Sequence, residues 1–311
     1  MRGLLFVATP KSIVTRKDNN ICVYNEMGEF KFPIGAVEHV FLMGGVHITT
    51  PAMKFINSMG KYIFLLNQFG KLISVVIPEY INSDYSLRLS QYKAKLYESS
   101  MLYLTKILLK EKAKNIGYIL GLNEPLYNRS LYIKSLIENV NPSNLQEALG
   151  VDGALNAKLF KEMKEHYLSP NFEFNERDYK PPKDPINAVL SLTYTMYYSL
   201  LIPVSISLGF DPYLGFFHTK RGKHASFCSD IIEISRPWLT LFVFENFKEG
   251  FFETSDFHQS ENGCFLKEKA LRAYIKLFSE KIIHGDYIDY SKKFLLNIKD
   301  KMHEISNNIW H

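Results

Sequence analysis

The sequence predicts an α+β chain, with a small β-rich N-terminal domain at residues 1–82 and a larger all-helical domain at 83–311. Two observations point to this. Up to about residue 78, short runs of β-branched and aromatic residues alternate with turn-forming pairs. After Pro78 a polar linker, 79–86, gives way to apolar residues recurring every third and fourth position. A length of 311 residues allows two cores of ordinary size, and 46% hydrophobic content is enough to fill them.

In chain order, Ile21 to Tyr24, Phe30 to Phe32, Val37 to Leu42, Tyr62 to Leu66 and Leu72 to Ile77 read as strands. Turns fall at Asn19-Asn20, Met27-Gly28, Gly44-Gly45 and Phe69-Gly70. TTPAMKFINSMG reads as one short helix, with Thr50 as N-cap, Pro51 at its first position and Gly60 after its end. No set of acid, histidine and nucleophile stands out in this domain, so its expected work is structural, namely dimerisation. From Leu87, the positions Leu89, Tyr92, Leu96, Met101, Leu104 and Leu108 predict one long helix. Its Lys93, Lys95, Lys106, Lys110, Lys112 and Lys114 make a basic face, either solvated or tracking phosphates.

Further on, Gly150 is expected to end one helix and Asp152 to begin the next as its N-cap, with Leu155, Leu159 and Met163 as the apolar stripe. A proline-rich loop, 169–185, follows. The uncharged span 186–210 is long enough to cross a bilayer. It carries Asn187, Thr193, Ser199 and Ser205, however, and reads better as a buried core helix kinked or ended near Pro203.

A net charge of +5 and a pI near 8.8 permit a polyanionic partner without demanding one. Cys22, Cys228 and Cys264 form no CxxC pair, which argues against a disulfide framework or a thiolate zinc site. With no signal peptide in the first residues, the expected location is the cytoplasm.

Residues 211–237, DPYLGFFHTKRGKHASFCSDIIEISRP, hold the strongest chemical signal. His218 closes an apolar run, and Lys220, Arg221, Lys223 and His224 form a basic loop. Asp230 and Glu233 then stand three apart on one helical face, where they can point at a common spot. That spacing also suits a solvated face, but Ile231, Ile232 and Ile234 around the acids argue for a core edge where each needs a partner. Oxygen ligands favour Mg²⁺ or Mn²⁺, while one nitrogen tilts the choice to Mn²⁺ and leaves Zn²⁺ open.

The runs FNERDYKPPKDPINAVLS, GFDPYLGFFH and SFCSDIIEISRPW resemble the CRISPR-associated spacer integrase family, the Cas protein numbered one. FPIGAVEHVFLMGGVHITTPAM, FLLNQFGKL and LRLSQY extend the likeness over essentially the whole chain. The resemblance implies a homodimeric, metal-dependent DNA endonuclease and integrase that inserts short foreign DNA into a CRISPR array. It also implies double-stranded and branched DNA substrates and a small ferredoxin-like partner bridging two dimers. Carried over by motif, the metal positions fall on Asp152, His218 and Glu233, with Asp230 assisting in catalysis, and Lys220, Arg221 and Lys223 would hold the DNA backbone. Attack by a DNA 3′-hydroxyl gives strand transfer, and attack by water gives nicking. One departure has physical content: Asp-Gly stands where the family has Glu-Gly, and aspartate reaches one methylene less far. Glu147 lies off the expected face and substitutes poorly. The alternative is therefore a DNA-binding assembly subunit of the same complex with weakened catalysis.

Overall fold

The computed structural model describes residues 3–67, 72–78, 85–122, 126–178, 181–218, 222, 224–261, 263–283 and 285–308. An N-terminal β-sheet region is followed by a helical C-terminal region. By internal packing the chain divides into Met1–Tyr85 with Ser199–Gly209, and Ser86–Tyr198 with Phe210–His311.

The first unit contains β1 (Gly3–Val7), β2 (Ile13–Lys17), β3 (Asn20–Asn25), β4 (Gly28–Pro33), β5 (Val37–Met43), β6 (His47–Ile48), α1 (Thr50–Ser58), β7 (Ile63–Leu66) and β8 (Leu72–Val76). They form two sheets, ordered β1-β5-β7-β8 and β4-β3-β2-β6. Strand β5 lies between parallel neighbours β1 and β7, so nearly every side chain of VEHVFLM is buried. Edge strand β4 is exposed along most of its length and carries Lys31 and Pro33, which discourage further pairing. Val14, Ile21, Val40, Ile56 and Ile63 anchor the core. The cap of α1 is Thr49 rather than the expected Thr50: its hydroxyl accepts from the Ala52 N–H, and Pro51 takes the second helical position. The turn expected at Phe69-Gly70 and most of the 79–86 linker lie outside the described residues.

The second region holds α2 (Tyr85–Leu96), α3 (Glu98–Leu120), α4 (Leu126–Glu138), α5 (Leu145–Glu162), α6 (Pro185–Ser207), α7 (Ser226–Lys248), the hairpin β9 (Phe257–Ser260) and β10 (Gly263–Leu266), then α8 (Glu268–Phe278) and α9 (Tyr287–Asn308). Apolar on almost every face, α7 is buried from Ser226 to Phe247 apart from scattered positions. It packs against α3 and α9, while α3 also packs against α4 and α5. At the crossing of α3 and α4, a Cβ at Gly117 would lie 2.8 Å from the Ile133 Cα, so glycine sets that approach.

Several expected boundaries move. The single long helix is two, broken at Tyr97, whose backbone is extended. In α2 the buried positions are Leu87, Ser90, Gln91 and Ala94, whereas Leu89, Tyr92 and Leu96 are exposed. Gln91 tolerates burial because its amide is fully engaged, donating to the Asp211 and Leu214 carbonyls and accepting from the Asp211 N–H. Helix α5 runs straight through Gly150, and its cap is Asn144, so Asp152 sits mid-helix and is not an N-cap. A glycine inside a helix costs only about 1 kcal/mol, which the surrounding packing overrides. Helix α6 continues past Pro203 to Ser207. It is long and apolar enough to cross a membrane, yet 61% of its most apolar window is buried within the protein. Its polar groups find internal partners, as where Tyr197 donates to the Tyr287 carbonyl.

Candidate active site

Two helix-borne carboxylates and one loop histidine are positioned by separate devices. The loop carrying His218 is clamped at its start by Gln91 on α2. Further along, the Gly215 N–H donates to Ser226 Oγ at 3.0 Å, and that hydroxyl donates to the Tyr213 carbonyl at 2.7 Å. The Asp230 carboxylate on α7 then accepts from three successive backbone N–H groups: Phe216 at 2.6 Å, Phe217 at 3.2 Å and His218 at 2.7 Å. Its Oδ1 also meets His218 Nδ1 at 2.9 Å. A Cβ on Gly215 would lie 2.8 Å from Asp230 Oδ2 and from the Ser226 backbone, so this loop can close only over glycine.

Asp230 is fully buried, and its charge is offset by these four donors. The carboxylate fixes the imidazole through Nδ1 and leaves Nε2 as the nitrogen able to accept or to ligate. Burial works to lower the His218 pKa, but the hydrogen bond and charge of Asp230, reinforced by Glu233, outweigh it and raise the value above 6.5.

Glu233, one turn beyond Asp230, points elsewhere. Its Oε2 accepts from Lys112 Nζ at 2.6 Å, and the same ammonium donates to Asp152 Oδ1 at 2.5 Å. Lys112 on α3 has no exposed side-chain surface. The second oxygens are engaged too: Asn156 Nδ2 donates to Asp152 Oδ2 at 3.0 Å, and Arg236 Nε lies 3.1 Å from Glu233 Oε1. Burial opposes ionisation of Glu233, but Arg236, Lys112 and His218 together prevail and hold its pKa well below the usual carboxylate range. Asn115, one turn after Lys112, donates to the Ile234 carbonyl at 2.7 Å and to the Tyr290 hydroxyl at 2.6 Å, tying α3 to α7 and α9 beside the site.

A cavity of about 620 Å³ opens next to the carboxylates. Asn156, Lys161, Lys164, Arg177, Tyr194 and Arg236 line it, so Asn156 and Arg236 each face both cavity and carboxylate. The guanidinium carbons of Arg236 and Arg177 lie 5.1 and 5.5 Å from the centre of the Tyr194 ring. Arg177, in the loop before α6, is held there by α6 itself, donating to Asn187 Oδ1 at 2.8 Å and to Ser191 Oγ at 2.9 Å.

Asp152 and Glu233 thus meet at one point, and His218 is joined to Asp230 on the same helix as Glu233. Asp230 and Glu233 do not share a spot as expected: the first serves the histidine loop and the second serves Lys112. A separate group, Glu162 at the end of α5 with Glu165 and His166 just after it, has ligand atoms that all lie within 4.8 Å of one another, Glu162 being half-buried and the other two exposed. Lys220, Arg221 and Lys223 lie outside the described residues. His224 contacts the Tyr198 hydroxyl at 3.2 Å and Ser229 Oγ at 2.6 Å. Glu147 is consumed by the α5 cap, accepting from the Ser143 N–H and hydroxyl.

Lys112 was not expected here, since it reads as one cation of a basic face. A sign of its burial is present in the sequence: Leu104, Leu108, Lys112 and Ile116 are spaced by four, so this lysine falls on the apolar stripe of its helix. Arg236 likewise follows Glu233 at the i+3 position.

With this geometry in view, a profile of the family described as CRISPR associated protein Cas1 matches residues 5–280. A relative from Thermodesulfovibrio yellowstonii, named CRISPR-associated endonuclease Cas1 3, is 24% identical over 275 residues, covering 86% of this chain and 83% of its own. Among solved structures, a chain of a partial Cas6-RT-Cas1–Cas2 complex superposes with a TM-score of 0.80 at 21% identity, covering 98% of this chain and 96% of that one. A casposase bound to integration product gives 0.69 at 18% identity, covering 97% and 96%. The structural likenesses show a shared fold. The profile, spanning nearly the whole length, establishes that the chain belongs to the Cas1 family of CRISPR-associated proteins.

Proposed function

We propose that this protein is a divalent-metal-dependent DNA endonuclease and integrase of CRISPR spacer acquisition. The observation that carries the reading is the seating of Asp152 and Glu233, from two different helices, about a single buried cation, beside a histidine whose outer nitrogen is left for ligation. Two carboxylates and an imidazole oriented by a third carboxylate, Asp230, suit Mg²⁺ or Mn²⁺. Asp152, Glu233 and His218 Nε2 would hold the ion. When bound, it would supply Lewis-acid polarisation of a phosphodiester and orient the attacking oxygen.

The chain's own residues do the rest. Asp230 positions His218 and touches no substrate. Arg236, Arg177, Lys161 and Lys164, around the adjacent cavity, offer cations for a DNA backbone, and the family likeness adds Lys220, Arg221 and Lys223 as further candidates. The names of relatives and neighbours, which include an endonuclease, a Cas1–Cas2 assembly and an integration product, support DNA as substrate and a small partner protein. By family likeness the working form is a homodimer on duplex and branched DNA, with a ferredoxin-like partner, in the cytoplasm.

The test is cleavage and strand transfer on branched DNA with Mn²⁺. We expect activity that is abolished in His218→Ala and in EDTA. Metal-independent activity, or activity unchanged in His218→Ala, overturns the reading. A second reading, a DNA-binding subunit with weak chemistry, is favoured by one observation: each carboxylate oxygen of Asp152 and Glu233 already faces a nitrogen of the protein. In that case wild-type activity is near background and Asp152→Glu raises it while DNA affinity is unchanged.

A further inference from the structure

We propose that Lys112 is a resident counter-ion of the metal site: its ammonium occupies a seat between Asp152 and Glu233 and competes with a divalent ion for them. The inference rests on taking Asp152, His218 and Glu233 as the ligands, and extends it to a residue that the motif likeness did not single out.

The geometry is that of a cation bound by its ligands. Nζ lies 2.5 Å from one carboxylate and 2.6 Å from the other. Each carboxylate is carried by its own helix, and both of these helices pack on α3. The lysine side chain has no solvent-exposed surface, and an ammonium buried without anions is strongly disfavoured. The two acids are therefore what keeps Lys112 in the core, and Lys112 is what keeps two carboxylates close together without an ion. Its neighbours on the stripe, Leu104, Leu108 and Ile116, are fully buried and apolar, so they offer the ammonium no counter-charge.

A divalent ion entering the same seat meets a unit positive charge at contact distance, with Arg236 a second one beside Glu233. Lys112 has to release at least one carboxylate for the ion to be held by both. The consequence is a preformed but weak site: the carboxylates are gathered in advance, and the affinity is reduced by the charge that gathers them.

The experiment is Mn²⁺ titration by calorimetry and thermal melting in EDTA and in Mn²⁺, on wild type, Lys112→Met, Lys112→Gln and Glu233→Gln. We expect wild type to bind Mn²⁺ weakly, and Glu233→Gln to lose that binding. Lys112→Met should bind roughly tenfold tighter or more, the scale of removing one opposing unit charge a few ångströms away. In EDTA Lys112→Met should melt several degrees below wild type, with Mn²⁺ restoring most of the difference. If Lys112→Met folds poorly, Lys112→Gln keeps a polar head in the space and carries the same expectation; folding of both variants only with Mn²⁺ also supports the inference. Binding to Lys112→Met and Lys112→Gln no tighter than to wild type, while Glu233→Gln still abolishes it, overturns the counter-ion role and leaves the metal site standing. No Mn²⁺ binding in any variant, or binding that survives Glu233→Gln, overturns both. Failure of both lysine variants to fold even with Mn²⁺ overturns the exchange.

Discussion

Asp230 illustrates how one buried carboxylate can organise a site without touching substrate. It gathers three backbone N–H groups and an imidazole, so removing it strands several donors at once. Asp230→Ala is expected to cost roughly 3–5 kcal/mol, as for other buried charges deprived of a partner, and chemical denaturation measures it. A loss below about 1 kcal/mol would mean that the loop is held by something else. His218 carries a pH signature of the same interaction. Its pKa is raised on folding, so the stability it contributes is fully present below 6.5 and is lost as pH rises through the folded value. The melting temperatures of wild type and His218→Ala should therefore differ most at acidic pH and converge towards alkaline pH. A gap that widens with rising pH would contradict the assignment of Asp230 as its partner.

Helices in this protein are set by a few local devices whose removal has predictable effects. Asn144 caps α5 by accepting from the Glu147 N–H at 2.9 Å, and Asn144→Ala should cost about 1 kcal/mol, read from a denaturant midpoint. At the α3–α4 crossing, Gly117→Ala forces a methyl against the Ile133 backbone, and a loss of roughly 1–3 kcal/mol is expected from thermal or chemical melts. A neutral result there would show that α4 can shift freely. The apolar texture of α7 was evident from its residues, and so was the stripe of Leu155 and Leu159 on α5 with Met163 just past its end, all three of which are buried. The continuity of α5 through Gly150 was not, because glycine is a helix breaker only where nothing packs on the helix. In α2 the buried face was misplaced, because Gln91 is polar and its burial depends on carbonyls more than a hundred residues away along the chain.

For the molecule as a whole, a mild excess of positive charge and a cavity lined by Lys161, Lys164, Arg177 and Arg236, against two acids, Glu165 and Glu176, make salt a direct probe of DNA binding. Affinity for duplex DNA should fall with rising salt, and replacing Lys220, Arg221 and Lys223 by alanine should lessen the slope by about one for each phosphate no longer neutralised. A slope unchanged in the triple variant would place the backbone-binding cations elsewhere, with Lys161, Lys164 and Arg177 next to be replaced. The order of a β-rich region before a helical one, the buried character of α6 and the candidacy of Asp152, His218 and Glu233 were all legible in the sequence, because period, composition and linked motifs are properties of neighbouring residues. Which of six lysines on one stretch enters the core, which partner each acid faces, and that Asp152 and Glu233 share a cation were decided only by the tertiary structure. Those pairings join groups 40 and 121 residues apart, and a charge is stable in an apolar interior only where folding delivers the opposite charge to it.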